Sequence, residues 1–338
     1  MLLLQGMLSV LGQIEKGKIM KNLISNIVLG LIAAAGIVLG FIFTPSGLSA
    51  LQLETLKILG IVAGSAALYC FIVGEISRNN SQMDKLWSIL PIAYTWITAV
   101  MGGFNVRLVV FAVLVTLWGI RLTFNFARKG AYSWKFWAGE EDYRWVVLRN
   151  KKPLNNRFLW MLFNLFFISI YQNFIVLAMC LPAVSCMEST VPFGVMDFIV
   201  TGAVLLFLAI ETIADEQQWK FQETKKKLLL EGKTLEELPA PYNRGFNTTG
   251  LWRHARHPNY FGEQMIWVCL YLFVIAAGNT QYVIFNWSIF GCLLIVLLFM
   301  GSSSFGEGVS ASKYPEYKTY VNQVSKYIPL WGYNPNKE

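Results

Sequence analysis

The chemistry this chain could carry is concentrated in one stretch, Asn247-Thr-Thr-Gly-Leu-Trp-Arg-His-Ala-Arg-His-Pro-Asn-Tyr-Phe-Gly-Glu263, which holds both of its histidines, His254 and His257. Arg253 and Arg256 supply fixed positive charge in a forked geometry that matches phosphate. Pro258 suits the first turn of a helix and keeps His257 out of the helical conformation, so the free amides of the helix start can face an anion. Asn259 and Glu263 then fall four apart on one helical face, with Tyr260 and Gly262 beside them. Together these groups could hold a planar or ribose-bearing ligand. A loop anchored at a membrane interface would equally account for Trp252, Arg253 and Tyr260, but not for Asn259 and Glu263. A metal site is disfavoured because His254 and His257 have no third ligand at metal spacing. A bis-histidine haem would need histidines on separate helices, and the chain has no others.

The elements that must position these residues are membrane helices. The 338 residues are 55% hydrophobic and 14% charged, with a mean hydropathy of +0.47, far from the roughly 25% charge of a soluble domain. Apolar runs near the ~20 residues needed to span a bilayer recur at 23–43, 55–74, 86–103, 106–123, 158–182, 195–213, 262–278 and 283–302. Of 28 Lys and Arg, all but Lys57, Arg107 and Arg121 lie in five segments: before the first span, at 75–85, at 124–157, at 214–260 and after 302. The loops near 44–54, 104–105, 183–194 and 279–282 have neither residue. This alternation predicts an all-α, polytopic bundle of about eight spans with both termini cytosolic. Residues 1–22 read as an interfacial segment and 23–338 as one membrane domain, in a bacterial inner membrane or the endoplasmic reticulum. The net charge of +8 reads as topology and attraction to an anionic bilayer; no nucleic-acid motif accompanies it, and the oligomeric state stays open. The five cysteines lack C-x-x-C spacing, so packing is the expected role for most; Cys180 and Cys186 flank an outer loop and are the pair placed for a disulfide.

Three of these helices carry polar groups. The sixth continues past its apolar run as ETIADEQQWKFQETKKKLLL without Gly or Pro, and so should project into the cytosol. Its Glu211, Asp215 and Gln218 share one face, as do Arg121, Asn125 and Arg128 on the fourth. Charges at membrane depth need protein or water around them, so the two stripes are expected to meet, whether as a structural ion pair or as part of a site. In the fifth span Asn164, Tyr171 and Gln172 interrupt an apolar run; Tyr171 reads either as an interhelical hydrogen-bonding group or as a buried acid.

The stretch GLWRHARHPNYFGE at 250–263 resembles the signature of the steroid 5-alpha-reductase-like superfamily, most closely its branch described as a domain of unknown function. Asp84-Lys-Leu-Trp87, Trp118-Gly-Ile-Arg121-Leu-Thr-Phe-Asn125, Glu141-Asp142-Tyr143-Arg144-Trp145 and Ala214-Asp215-Glu-Gln217 resemble further motifs of that branch, in the same order. Glu307, Lys313, Tyr314 and Tyr317 fit its C-terminal pattern, so the likeness covers residues 60–330.

The resemblance implies a membrane reductase that takes a hydride from NADPH and reduces a carbon–carbon double bond in a lipophilic substrate held in the bundle. By position, Arg253, Arg256, His257, Asn259, Tyr260 and Glu263 would line the cofactor cavity, joined by Asp215 and Gln217, by Arg121 and Asn125, and by Glu307 and Tyr314. Most of the cofactor-binding part would then lie within 211–320. Tyr171 is the candidate proton donor. Membrane methyltransferases of the same superfamily, which act on lipids or prenylcysteine with S-adenosylmethionine, share Arg-His-Pro-x-Tyr and are the main alternative; a non-enzymatic binding protein is the other.

Overall fold

A computed structural model describes residues 47–279, 285–330 and 332–334; the interfacial segment and the first span expected from the sequence lie outside them. The described chain is helical, without a named strand. In order come α1 (Ala50–Ser77), α2 (Gln82–Leu86), α3 (Ile89–Met101), α4 (Val106–Ala127), α5 (Tyr143–Arg149), α6 (Arg157–Phe163), α7 (Gln172–Ser185), α8 (Val195–Leu230), α9 (Pro258–Ala276), α10 (Phe290–Lys313) and α11 (Tyr317–Gln323). A π-helical stretch, Asn164–Tyr171, fuses α6 to α7. Among the described residues six helical segments are long and apolar enough to cross a membrane, and the protein is an integral membrane protein.

Local sequence sets the boundaries. Ser49 and Gln52 form a reciprocal capping box that opens α1. The span expected at 86–103 is instead a 13-residue helix beginning at Ile89. Pro91 is the cause: its ring tolerates only the first turn of a helix, so α2 must stop and α3 start afresh. α8 runs 36 residues without a break, as the absence of Gly and Pro beyond its apolar run requires.

Helix faces follow solvent. Ile61 (70% exposed) and Phe198 (68%) typify the apolar side chains turned outwards, while one core joins Leu59, Phe111, Trp118, Ile175, Trp267 and Phe273. Glycines allow the closest helix approaches: a Cβ on Gly262 of α9 would stand 2.7 Å from Cβ of Glu211 in α8. All five cysteines are free and buried, so Cys180 and Cys186 pack rather than pair.

Ion pairs at two levels, Arg107 and Arg121, fix α4 against α8. Arg107 grips Asp197 through Nε at 2.6 Å and Nη2 at 3.0 Å, and also donates to Ser189 and to the carbonyls of Val191 and Pro192. Both partners are essentially buried. Fourteen residues on along each helix, about 21 Å at 1.5 Å per residue, Arg121 meets Glu211 at 2.6 Å. The equal spacing makes the two helices parallel.

Candidate functional site

Arg121 lies at the centre of a buried polar cluster where α4, α8 and α9 converge. Its guanidinium donates to Glu211 at 2.6 Å and Asp215 at 2.7 Å, and stands 3.5 Å from Glu263. Asp215 also accepts from Asn125 at 2.8 Å and from Asn259 at 2.9 Å. Two indoles hold Glu263 from its other side, Trp118 at 2.8 Å and Trp267 at 3.1 Å, their rings meeting edge to face. The polar stripes of α4 and α8 therefore do meet, with Arg128 reaching Glu216 at 2.7 Å rather than Gln218.

This cluster retains unused hydrogen-bonding capacity. Asn259 Oδ1, Arg121 Nε and Gln218 Oε1 are buried without a partner, and groups of this kind are costly to leave unsatisfied. One guanidinium also faces three carboxylates.

A second cluster adjoins it at the start of α9. Proline at the first helical position and His257 at φ −137° turn the chain into the helix. His257 Nε2 lies 2.9 Å from Glu307 of α10, whose same oxygen accepts from Arg256 Nε at 2.7 Å. The His257 ring stacks on Tyr260 with centroids 5.2 Å apart, and Tyr260 meets Phe299 edge on at 4.6 Å. Arg256 further donates to the carbonyls of Val321 and Val324, while the amides of Arg256 and His257 donate to Ser325 and Lys326. The guanidinium of Arg256 is thus committed to holding the C-terminal tail.

Of the remaining sequence-derived residues, Gln217 supports the loop, its Oε1 accepting from the Leu251 amide at 2.9 Å. Gly250 (φ +57°) presses on the Gln217 carboxamide so closely that a Cβ would stand 2.5 Å from it. Tyr314 packs on Gly245 and lies 3.4 Å from Lys225 Nζ. Arg253 has no hydrogen bond or ion pair to another described side chain and lines an open cleft with Arg244 and Tyr333. Tyr171 closes the π-helical stretch and stacks on Phe167 at 5.5 Å; no hydrogen bond links it to either cluster among the described residues.

Sequence reasoning placed Glu211 and Trp118 in motifs without assigning them to the site, and did not single out Trp267. It quoted Asp84 and Arg144 only for resemblance. Arg144 holds Asp142 through Nε at 2.7 Å and lies 3.5 Å from Asp84, which accepts from Trp145 Nε1 at 2.7 Å. Burial pushes the Asp84 carboxyl up. For Asp142 burial acts in the same direction but is outweighed by Arg144, which holds it below the usual carboxylate range. Arg144 is within electrostatic reach of Tyr260, so this group borders the second cluster. The polar sequence around 79–85 and 139–145 was the available signal; it needed the tertiary contact to be read.

Fold and site define the class: a helical integral membrane protein with a buried, incompletely satisfied charged cluster at one end of its bundle. The chain belongs to the family described as protein of unknown function (DUF1295), whose model matches residues 70–324. It is 35% identical over 282 residues to the uncharacterised protein C594.04c of Schizosaccharomyces pombe (strain 972 / ATCC 24843), which covers 78% of each chain. No solved structure matches. The family match spans both clusters.

Proposed function

We propose that the protein is a membrane-embedded, NADPH-dependent reductase of a carbon–carbon double bond in a lipophilic substrate, related to the steroid 5-alpha-reductase-like proteins. The observation that carries this reading is the buried cluster with its unpartnered Asn259 Oδ1 and Arg121 Nε. It lies on the stretch whose sequence resembles that superfamily. Residues fit a nicotinamide nucleotide in kind: an amide and carboxylates suited to ribose and carboxamide, the flat His257–Tyr260 stack, and a free guanidinium at Arg253. The eight-span topology with cytosolic termini belongs to the same proposal, supported by the five basic segments and by the parallel course of α4 and α8.

When bound, the cofactor supplies a hydride, which with one proton converts the alkene to the saturated product and leaves NADP⁺. The protein has three tasks. Asn259, Asp215 and Tyr260 would orient the nucleotide. The apolar faces around Phe207, Phe261 and Phe299 would exclude water from the reacting carbons. An acid must deliver the proton, and Tyr171 is the residue proposed for it, with a partly buried side chain packed against the core and no competing hydrogen-bond partner among the described residues. The substrate would be a lipid of steroid-like, isoprenoid or acyl type.

The test is nucleotide binding by the detergent-purified protein, with NADPH, NADH and S-adenosylmethionine compared by thermal shift and calorimetry. Saturable binding of NADPH is expected. Binding of S-adenosylmethionine alone would replace the proposal with methyl transfer, and binding of none would point to a non-enzymatic role.

A further inference from the structure

The cleft that holds Arg253 has a volume of ≈ 320 Å³, with Arg244, Thr248, Thr249, Gly250 and Tyr333 among its walls. That is at the small end of the ~300–1,000 Å³ typical of ligand pockets, and so suits part of a dinucleotide. Its charge is one-sided. Arg253 is unpaired among the described side chains, and Arg244 has only Glu316 at 3.3 Å, a carboxylate 63% exposed at the rim. Lys225, buried behind the Arg244–Gly245 turn, is held by the Gly245 carbonyl at 2.6 Å with no carboxylate within ion-pair distance among the described residues. Two guanidiniums therefore line the cleft, with Lys225 behind the turn, and among the described residues one exposed carboxylate answers them.

A buried aromatic ring, Tyr333 at 4% exposure, backs the arrangement. The Tyr333 ring lies 5.5 Å from the Arg244 guanidinium, and the Tyr333 amide donates to the Arg253 carbonyl at 2.8 Å. Two forked guanidiniums in one cleft are suited to a phosphomonoester. The cleft floor at Gly250 and Leu251 rests on Gln217, two residues from Asp215, so it adjoins the buried cluster through α8. Arg256, nearby in sequence, is excluded because Glu307 and the tail carbonyls occupy it.

We infer that Arg244 and Arg253 bind the 2′-phosphate of the dinucleotide and set the preference for NADPH over NADH, an inference that rests on the reductase reading. The test compares NADPH and NADH affinities of the full-length wild type, Arg253→Gln and Arg244→Gln in detergent, after equal melting temperatures have shown that the variants fold. Each substitution should weaken NADPH binding at least tenfold and leave NADH within twofold. Wild type that binds NADPH, with variants that keep the same ratio of the two affinities, would overturn the assignment and leave the reductase standing. An equal loss for both nucleotides would also overturn it, by placing the arginines on a phosphate common to the two. Wild type that binds neither nucleotide refutes the reductase reading and the inference together. Phosphatidic acid in nanodiscs is the control for a lipid headgroup: stabilisation by that lipid, dependent on Arg253 and unaffected by NADPH, would reassign the cleft to the bilayer.

Discussion

Replacing Arg121 by Met removes the guanidinium that faces Glu211, Asp215 and Glu263 and leaves their carboxylates buried without it. Arg121 is 9% exposed as a side chain, Glu211 and Glu263 each 5% and Asp215 20%. At an effective dielectric of about 20, opposite unit charges about 4 Å apart attract by roughly 4 kcal/mol. Two such pairs are close here, while repulsion among the carboxylates and desolvation of the whole group offset a large part of that sum. Removing one partner of a buried pair typically costs about 3–5 kcal/mol. At roughly 2–4 °C per kcal/mol, the melting midpoint should fall by on the order of 10 °C. The assay is equilibrium unfolding in mixed micelles, with thermal melting as a second readout. Adding Glu211→Gln to Arg121→Met should restore at least half of the loss, because it removes one of the uncompensated charges. A single variant within about 1 kcal/mol of wild type, or a double variant no more stable than the single, would refute the view that charge balance holds α4 to α8.

Gly262→Ala should destabilise the protein by about 1–3 kcal/mol through overpacking, since the new Cβ would meet Glu211 Cβ at 2.7 Å and the Phe207 carbonyl at 3.0 Å. Gly301→Ala, with nothing within 4 Å, is the matched control, and equal melting of the two variants would discount the close α8–α9 approach. Acid should loosen α5. Asp142, which caps that helix and grips Arg144, has a folded pKa below its unfolded value of about 3.9. Its contribution is therefore full above that value and is lost as pH falls through the lower, folded one. Hydrogen exchange at 143–149 should accelerate below about pH 4 in wild type and not in Asp142→Asn, which keeps the cap; identical profiles would assign the acid response elsewhere.

Spans were legible because lipid demands long apolar runs and basic loops, both of which survive in a single sequence. The break at Ile89 was less so: hydropathy averages over Pro91, and only the steric demand of its ring ends α2. The meeting of Arg121 with Glu211 could be anticipated because charges at membrane depth need partners and both stripes repeat at helical spacing. What no pattern disclosed was which polar atoms would be left over. Arg256 and Arg253 look alike in sequence, three positions apart, yet the fold ties one to Glu307 and the tail and leaves the other facing a cleft. That difference arises from chain segments about 50 to 80 residues away, beyond the reach of local spacing.

α8 has a further consequence. Its 36 residues extend about 54 Å, whereas the hydrocarbon layer is about 30 Å thick, and the same rod carries Asp197, Asp215, Gln217 and Lys225. A thicker or thinner bilayer must tilt the rod or be deformed around its apolar length. The depth at which the charged cluster meets the headgroups is then set by the acyl-chain length of the surrounding lipids. Membrane composition thereby acts on the site mechanically, with no lipid bound to it.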